Sequence, residues 1–306
     1  MSNLVTVVEE RDYPGHVPTG PVGRCLAARL LAAGEPVRVL APESETEGWP
    51  QGTEIVPGDI ARPDETPAAF DGVERLFLAG AVPQTVRQAV TLARQAGVQH
   101  IVVLSSHGPD VEIEFEPDSW YWLGIEVVVE RSGARWTHLQ PAPVMAQTFR
   151  KGYPSDDADL AAAIRDREVI RAECPDTQYP FIDEDDLAAV AMAAFFDDQY
   201  ANQTLTVHGE PISLREQLRL IGQALGRDIP FEEITPQQAA DRMRRKGATE
   251  EEIEEKLASE TEWATKPEDP EYRQWLHLGT DTLTRILGRP PRSYADWLID
   301  HVDAVR

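Results

Sequence analysis

The sequence predicts an α/β fold in which a doubly wound parallel sheet is followed by a smaller, mixed C-terminal lobe. Three observations predict it. Short β-branched strands alternate with helices up to Pro141, a glycine-containing turn precedes the first helix, and the alternation becomes irregular beyond Pro141. We expect a first domain over residues 1–150 and a lobe that covers a substrate over residues 151–306.

Six strands and three helices are predicted in the first domain. The strands are segments rich in Val, Ile and Leu, at 4–8, 36–40, 53–56, 74–79, 99–105 and 135–139. The helices are expected at 21–33, 84–96 and 120–131. Gly34 and Gly97 suit the residue that follows a helix. Strands and helices that alternate at this spacing form parallel sheets with right-handed crossovers.

The second half has a mixed pattern. Ser213 is the expected N-cap of a helix, with Glu216 as its capping-box partner. Strands are predicted at 203–207 and 229–234, and helices at 183–196, 213–225, 236–246, 249–263 and 294–301.

Composition excludes several classes of function. The chain has 29 basic and 53 acidic residues, a formal net charge of −24, which repels nucleic acids and anionic membrane surfaces. Its two cysteines lack the spacing of metal ligands, and no apolar run approaches the roughly 18 residues of a membrane span. We expect a cytoplasmic monomer or homodimer that binds no nucleic acid, no membrane and no metal, with a small molecule as its partner.

The segment PTGPVGRC, residues 18–25, is typical of a phosphate-binding turn. Gly20 and Gly23 would let the backbone approach a pyrophosphate, and the following helix directs its N-terminal dipole toward the phosphates. The turn therefore predicts a Rossmann domain that binds NADP or NAD. The expected cofactor contacts are Thr19, Gly20, Val22, Gly23 and Arg24, then Asp59 and Ile60 near the adenine, and Ala79, Ser105 and Pro141 along the edge toward the nicotinamide.

The chain resembles the NmrA-like branch of the atypical short-chain dehydrogenase/reductases, in its actinobacterial form. The resemblance rests on TGPVGR (19–24), VPGDIARP (56–63), QAGVQHIVVLSSHG (95–108) and FIDEDDLAAVA (181–191), in that order, and covers nearly the whole chain. It implies an oxidoreductase of secondary metabolism that acts on a small aromatic or polyketide-like molecule.

The chain also departs from this family. The stretch VVEERDYPGH, residues 7–16, is an insertion with three carboxylates, and Val17 stands where the family has its first glycine. After the second strand, Ala41 and Pro42 offer no cation to an NADP 2′-phosphate. Glu43 could accept from the ribose of NAD, and Arg24 could replace the missing cation. The insertion favours a site that binds the cofactor poorly or has lost it; the alternative is a surface loop beside an intact site.

Acid–base chemistry is expected at the end of the fifth strand. Ser106, His107 and Tyr121 are the candidate catalytic residues, because this edge of an open α/β sheet faces the ligand crevice. His107 could instead be a loop histidine bonded to backbone, and the aromatic residues could pack an interface between lobes. The predicted substrate pocket lies between the sheet edge and the lobe, lined by Trp120, Trp122, Pro143, Met145 and Phe149.

Three functions remain open on this evidence. The first is a nicotinamide-dependent reductase, as the resemblance implies. The second is a non-redox cyclase, dehydratase or isomerase on the same scaffold, and the third is a non-catalytic dinucleotide sensor or regulator. The absence of a Tyr-x-x-x-Lys pair favours the second and third functions, because Tyr121 is followed four positions later by Ile125.

Overall fold

The computed structural model describes residues 2–8, 19–114, 116–150, 153, 159–251, 253–254, 257 and 267–306. The chain forms two compact units. The first contains Met1–Val144, Glu184–His208 and Gly279–Pro291, and the second contains Met145–Asp183, Gly209–Leu278 and Arg292–Arg306. The domain boundary expected at residue 150 stays a prediction.

The described residues contain eleven strands. They are β1 (Ser2–Thr6), β2 (Val37–Ala41), β3 (Glu54–Pro57), β4 (Val73–Leu78), β5 (His100–Leu104), β6 (Arg135–Pro141), β7 (Ile170–Ala172), β8 (Gln178–Phe181), β9 (Gln203–Val207), β10 (Glu210–Ser213) and β11 (Phe231–Glu233).

The helices of the described part are α1 (Thr19–Ala32), α2 (Val86–Gln95), α3 (Pro109–Glu112), α4 (Trp122–Glu130), α5 (Leu160–Asp166), α6 (Glu184–Phe196), α7 (Leu214–Leu225), α8 (Pro236–Arg245), α9 (Pro270–Leu276), α10 (Thr280–Leu287) and α11 (Tyr294–His301). No helix within these ranges is both long enough and apolar enough to cross a bilayer.

The first unit is built on a parallel sheet of seven described strands, in the order β3-β2-β1-β4-β5-β6-β9. The first six have the Rossmann order, so the predicted fold class is confirmed. Leu4, Leu76 and Ile101 on adjacent strands are completely inaccessible to solvent, as expected of strands covered on both faces.

One strand lies elsewhere than its place in the sequence suggests. The segment Gln203–Val207 was expected in the later lobe, but β9 pairs in parallel with β6, with Leu139 opposite Leu205. Leu205 and Val207 are buried, so this pairing adds apolar surface to the core of the first unit.

Two helix N-termini differ in detail from expectation. Ser213 caps α7 as predicted, by accepting from the Glu216 amide, but the Glu216 carboxylate pairs with Arg219. Helix α4 begins at Trp122, and its first two amides donate to the carboxylate of Glu112, at 3.1 and 2.7 Å. A side chain ten residues upstream thus caps a helix that lacks a capping residue of its own.

The second unit contains two small sheets, β10-β8 antiparallel and β11-β7 parallel, packed with α5, α7 and α11. Its core includes Met145, Ile221, Tyr294 and Trp297, all at most 1% exposed. Most of the helix predicted at 249–263 lies outside the described residues.

Candidate dinucleotide-binding site

One side chain ties the end of β1 to the start of α1. The hydroxyl of Thr19 accepts from the Val8 amide at 3.1 Å and donates to the Val8 carbonyl at 3.2 Å. Residues 9–18 lie outside the described part, so the predictions for the inserted loop and for Val17 stay predictions. The residues that flank this stretch, Val8 and Thr19, are nevertheless held together by these two hydrogen bonds.

Gly20 and Gly23 lie in the first two turns of α1, and Gly23 is the one at which a side chain would not fit. A Cβ on Gly23 would be 2.7 Å from Val7 Cγ1 and 3.2 Å from the ring of Trp49, so this glycine permits the close packing of α1 on β1. A Cβ on Gly20 would be 2.9 Å from the guanidinium of Arg24. Val22, between them, is buried in the core.

Arg24 is engaged by an acidic partner. Its Nη2 lies 2.8 Å from Glu45 Oε2 and donates to the Glu47 carbonyl at 3.1 Å, while the guanidinium carbon lies 5.1 Å from the ring centre of Trp49. Glu45 follows β2, which is the position from which a carboxylate accepts from the ribose of NAD in Rossmann proteins. Sequence reasoning had selected the exposed Glu43 for this role; the residue beside Gly20 and Arg24 is Glu45.

The predicted adenine edge is formed by local contacts. Asp59 accepts from the Ala61 amide at 2.9 Å, and Ile60 is completely buried. At the end of β1, the Thr6 hydroxyl makes two hydrogen bonds of 2.8 Å with the backbone of Ala79. These contacts hold the carboxyl ends of β1 and β4 together.

Val8 occupies the space above the end of β4. Gly80 has a φ of +74°, and a Cβ built there would collide with the side chain of Val8. Val8 is 3% exposed. The space beside Gly80, just after the end of β4, is therefore filled by the side chain of Val8.

A buried carboxylate links β5, α4 and β6. Ser105 donates to Glu126 Oε1 at 2.6 Å, and Gln140 Nε2 donates to the same oxygen at 3.2 Å. All three side chains are at most 5% exposed. The expected nicotinamide contact Ser105 is thus committed to Glu126, and Pro141 is the buried last residue of β6.

The candidate acid–base residues have different surroundings. The Ser106 hydroxyl accepts from the Gly108 amide at 2.8 Å and is buried, whereas His107 is exposed. The Tyr121 hydroxyl lies 3.5 Å from the Ala81 carbonyl, and its ring meets the edge of Trp122, with centroids 5.2 Å apart.

The candidate substrate contacts are divided between the two units. Trp120, Trp122 and Pro143 belong to the first, and Trp122 is 4% exposed within its core. Met145 and Phe149 belong to the second, where Met145 is fully buried and Phe149 stacks on Trp297 at 5.4 Å. The pocket that these residues were expected to line stays a prediction.

Two other histidines are core residues of the sheet. Burial lowers the pKa of His138 to about 3 and is the main reason that the pKa of His100 falls to about 4. Glu130 lies 3.4 Å from His138 Nε2, but its side chain is half exposed and does not overcome the burial. Both rings are neutral at physiological pH. No cluster of potential metal ligands occurs among the residues described.

Comparison with known proteins identifies the family. A family model described as NAD(P)H-binding matches residues 18–197. The chain belongs to this NAD(P)H-binding family. The first unit, which contains most of the matched residues, is accordingly an NAD(P)H-binding domain.

Two relatives of the chain and one solved structure are informative. The chain is 30% identical to the (4-alkanoyl-5-oxo-2,5-dihydrofuran-3-yl)methyl phosphate reductase of Streptomyces griseus subsp. griseus, over 94% of this chain and 96% of that one. It is 28% identical to the NAD(P)H azoreductase of Xenophilus azovorans, over the same shares. The structure of the negative transcriptional regulator NmrA in complex with NAD shares the fold, with a TM-score of 0.64, 14% identity and coverage of 99% and 95%.

Sequence reasoning missed three residues of this edge. Glu126 and Gln140 look like ordinary helix and strand residues, because their partner Ser105 is 21 residues from Glu126 along the chain. Glu45 was missed because the acidic stretch Glu43–Glu45 offers two carboxylates and no pattern that selects between them.

Proposed function

We propose that the chain is an NAD(P)H-dependent reductase of a small aromatic or polyketide-like molecule that carries a conjugated acceptor bond. The observation that carries this proposal is the close approach of α1 to β1 at Gly23, because such packing directs the first amides of α1 toward the carboxyl edge of the sheet. The two relatives near 30% identity, both named as reductases, support the reaction class.

The residues at this edge fit a dinucleotide in part. Gly23 lets α1 pack closely on Val5 and Val7, and the first amides of α1 are the groups that would bind a phosphate. Glu45 suits a ribose 2′-hydroxyl and repels a 2′-phosphate, and its ion pair offsets the charge of Arg24. We therefore expect NADH to bind more tightly than NADPH.

The cofactor and the side chains of the protein would supply different parts of the reaction. Bound NAD(P)H supplies a hydride, and the reduced product then needs one proton. His107 and Tyr121 are the proposed proton donors, with Ser106 beside them at the end of β5. Glu126 acts as a positioning residue, since it holds Ser105 and Gln140 at the ends of β5 and β6.

The test is an assay of NADH and NADPH oxidation with quinones, azo dyes and furanone phosphates as acceptors. His107→Ala or Tyr121→Phe should lower kcat by about 10²- to 10⁴-fold. His277→Ala, at an exposed histidine of the second unit, is the matched control and should leave kcat unchanged. If both test variants stay within about threefold of wild type, neither residue is the proton donor.

One observation favours a second candidate, a non-redox enzyme that uses His107 or Tyr121 as its acid or base. Val8 fills the space against Gly80, where the cofactor would cross the end of β4. Val8→Gly distinguishes the two. NADH binding that appears only in this variant would favour the non-redox enzyme, whereas equal binding in wild type and variant would favour the reductase.

A further inference from the structure

A basic groove runs between α2 and α4 of the first unit. It encloses about 340 Å³ and carries three arginines, Arg87, Arg94 and Arg131. The rest of its lining is apolar or uncharged: Val90, Thr91 and Gln95 from α2, and Val127, Val128 and Ser132 from α4 and its end. The groove is thus lined by guanidinium groups and by valine side chains from both helices.

The groove contains no acidic side chain. Helix α2 has neither Asp nor Glu in its sequence. The two glutamates of α4 point to other partners, since Glu126 accepts from buried Ser105 and Glu130 lies near His138. None of the lining residues is acidic, although the chain as a whole has 53 acidic residues against 29 basic ones.

These arginines also differ from most arginines of the chain. Within the described ranges, none of the three forms an ion pair, whereas Arg24, Arg29 and Arg135, for example, each pair with a carboxylate. The guanidinium of Arg94 donates to the Val98 carbonyl, which holds it at the end of α2. Arg87 and Arg131 are exposed. The groove therefore concentrates positive charge on a strongly acidic protein.

We propose that this groove binds an amphipathic organic anion, a molecule with one carboxylate, phosphate or sulfonate group on an apolar body. The valines would contact the body, while the planar donors of Arg87 and Arg131, with the hydroxyl of Ser132, take the charged group. Clefts of roughly 300 to 1,000 Å³ with an apolar floor and a few converging polar groups are typical of small-molecule sites.

A second copy of the chain does not suit this face. A two-fold interface would bring the same surface of each copy together and so place arginine against arginine. The groove is also independent of the proposed reductase function, because none of its lining residues belongs to the candidate dinucleotide site.

The probe for the experiment is 1-anilinonaphthalene-8-sulfonate, whose fluorescence reports transfer to an apolar environment. It is titrated into the full chain at low salt, with and without non-fluorescent NAD⁺, so that any dye taken up by the dinucleotide site can be identified and subtracted. We expect one saturable site, whose affinity falls as salt rises. Arg87→Gln and Arg131→Gln should each weaken binding about fivefold to tenfold, equivalent to about 1–1.4 kcal/mol.

Arg285→Gln is the matched control, since it removes the same charge from an exposed arginine of α10 in the first unit. Its affinity for the dye should stay within about twofold of wild type. Displacement by octanoate or by octyl phosphate then shows which charged group the site prefers. Absence of saturable binding, or equal losses in the control and in the groove variants, would overturn the proposal. Circular dichroism confirms that each variant is folded.

Discussion

Arg24 Nη2 and Glu45 Oε2 lie 2.8 Å apart, joining the second turn of α1 to the short helical turn after β2. The side chains are 30% and 24% exposed, so solvent screens the pair only in part. Arg24 is the cation that the sequence offers to an NADP 2′-phosphate. Its pairing with Glu45 means that a 2′-phosphate would have to compete with a carboxylate already in place.

Cofactor preference should change when Glu45 loses its charge. In Glu45→Gln, the Arg24 guanidinium no longer faces a carboxylate and can receive a 2′-phosphate. We expect the ratio of the Kd values for NADPH and NADH to move toward NADPH by about tenfold, or 1.4 kcal/mol. Calorimetric titration measures both constants. Glu47→Gln is the control, because Arg24 contacts only the backbone carbonyl of Glu47; an equal shift in that variant would show that general charge is responsible.

Stability should depend on the absence of a side chain at Gly23. Gly23→Ala places a methyl group 2.7 Å from Val7 Cγ1 in a filled core, and overpacking of this kind costs about 1–3 kcal/mol. The control is Gly124→Ala within α4, where the nearest atom, Trp120 Cβ, is 3.8 Å away and alanine should stabilise the helix by about 0.5–1 kcal/mol. Urea unfolding measures both. A Gly23→Ala protein as stable as wild type would contradict the close packing of α1 on β1.

The buried group of Ser105, Glu126 and Gln140 should act as a unit. Ser105→Ala removes one donor from a carboxylate that is 4% exposed, and leaving a buried acceptor under-satisfied costs about 1–3 kcal/mol. In a double-mutant cycle with Glu126→Gln, we expect a coupling free energy of about 1 kcal/mol or more. Additive effects of the two substitutions would contradict a direct bond between these side chains.

Unfolding free energy should fall as the pH drops below 6.5. Because the pKa of His138 is lowered from 6.5 to about 3, the unfolded chain binds a proton there that the folded chain does not. Stability is therefore present above the unfolded pKa and is lost below it, by up to about 1.4 kcal/mol per pH unit for this one group. Urea unfolding between pH 7 and 5 should show a shallower dependence in His138→Phe. His277→Phe, at an exposed histidine, should keep the wild-type slope.

Much of the first unit was predictable from local pattern. Apolar runs such as His100–Leu104 are buried on both faces, and glycines end the intervening helices, as Gly34 and Gly97 do with φ values of +77° and +104°. The place of β9 was not predictable, because pairing with β6 links segments about 65 residues apart. The three-residue strand β7 is too short to show a period of two, whereas β11 lies within the strand predicted at 229–234.

Residues of the candidate site were predictable from the sequence only where their role depends on their own backbone and not on a distant partner. Gly20 and Gly23 are recognisable because a helix that packs closely on the first strand needs small residues at its start, although the structure places both inside α1 and not in a turn before it. Glu126 was not, because a carboxylate in a helix is ordinarily solvated and only the fold brings it to Ser105. Arg87, Thr91 and Arg94 lie on one face of α2, but the groove that they line forms only when α4 is placed beside them.

The proposed reductase function is tested most directly by an experiment with two steps. The wild-type protein is titrated with NADH and NADPH, and the transfer of deuterium from the labelled cofactor to an acceptor is then measured. We predict that each chain binds one NADH with a Kd of about 10 μM or tighter and binds NADPH more weakly. The reduced product should contain one deuterium. Binding without transfer to any acceptor would indicate a dinucleotide sensor. A folded protein that binds neither cofactor at about 1 mM would contradict the reductase function.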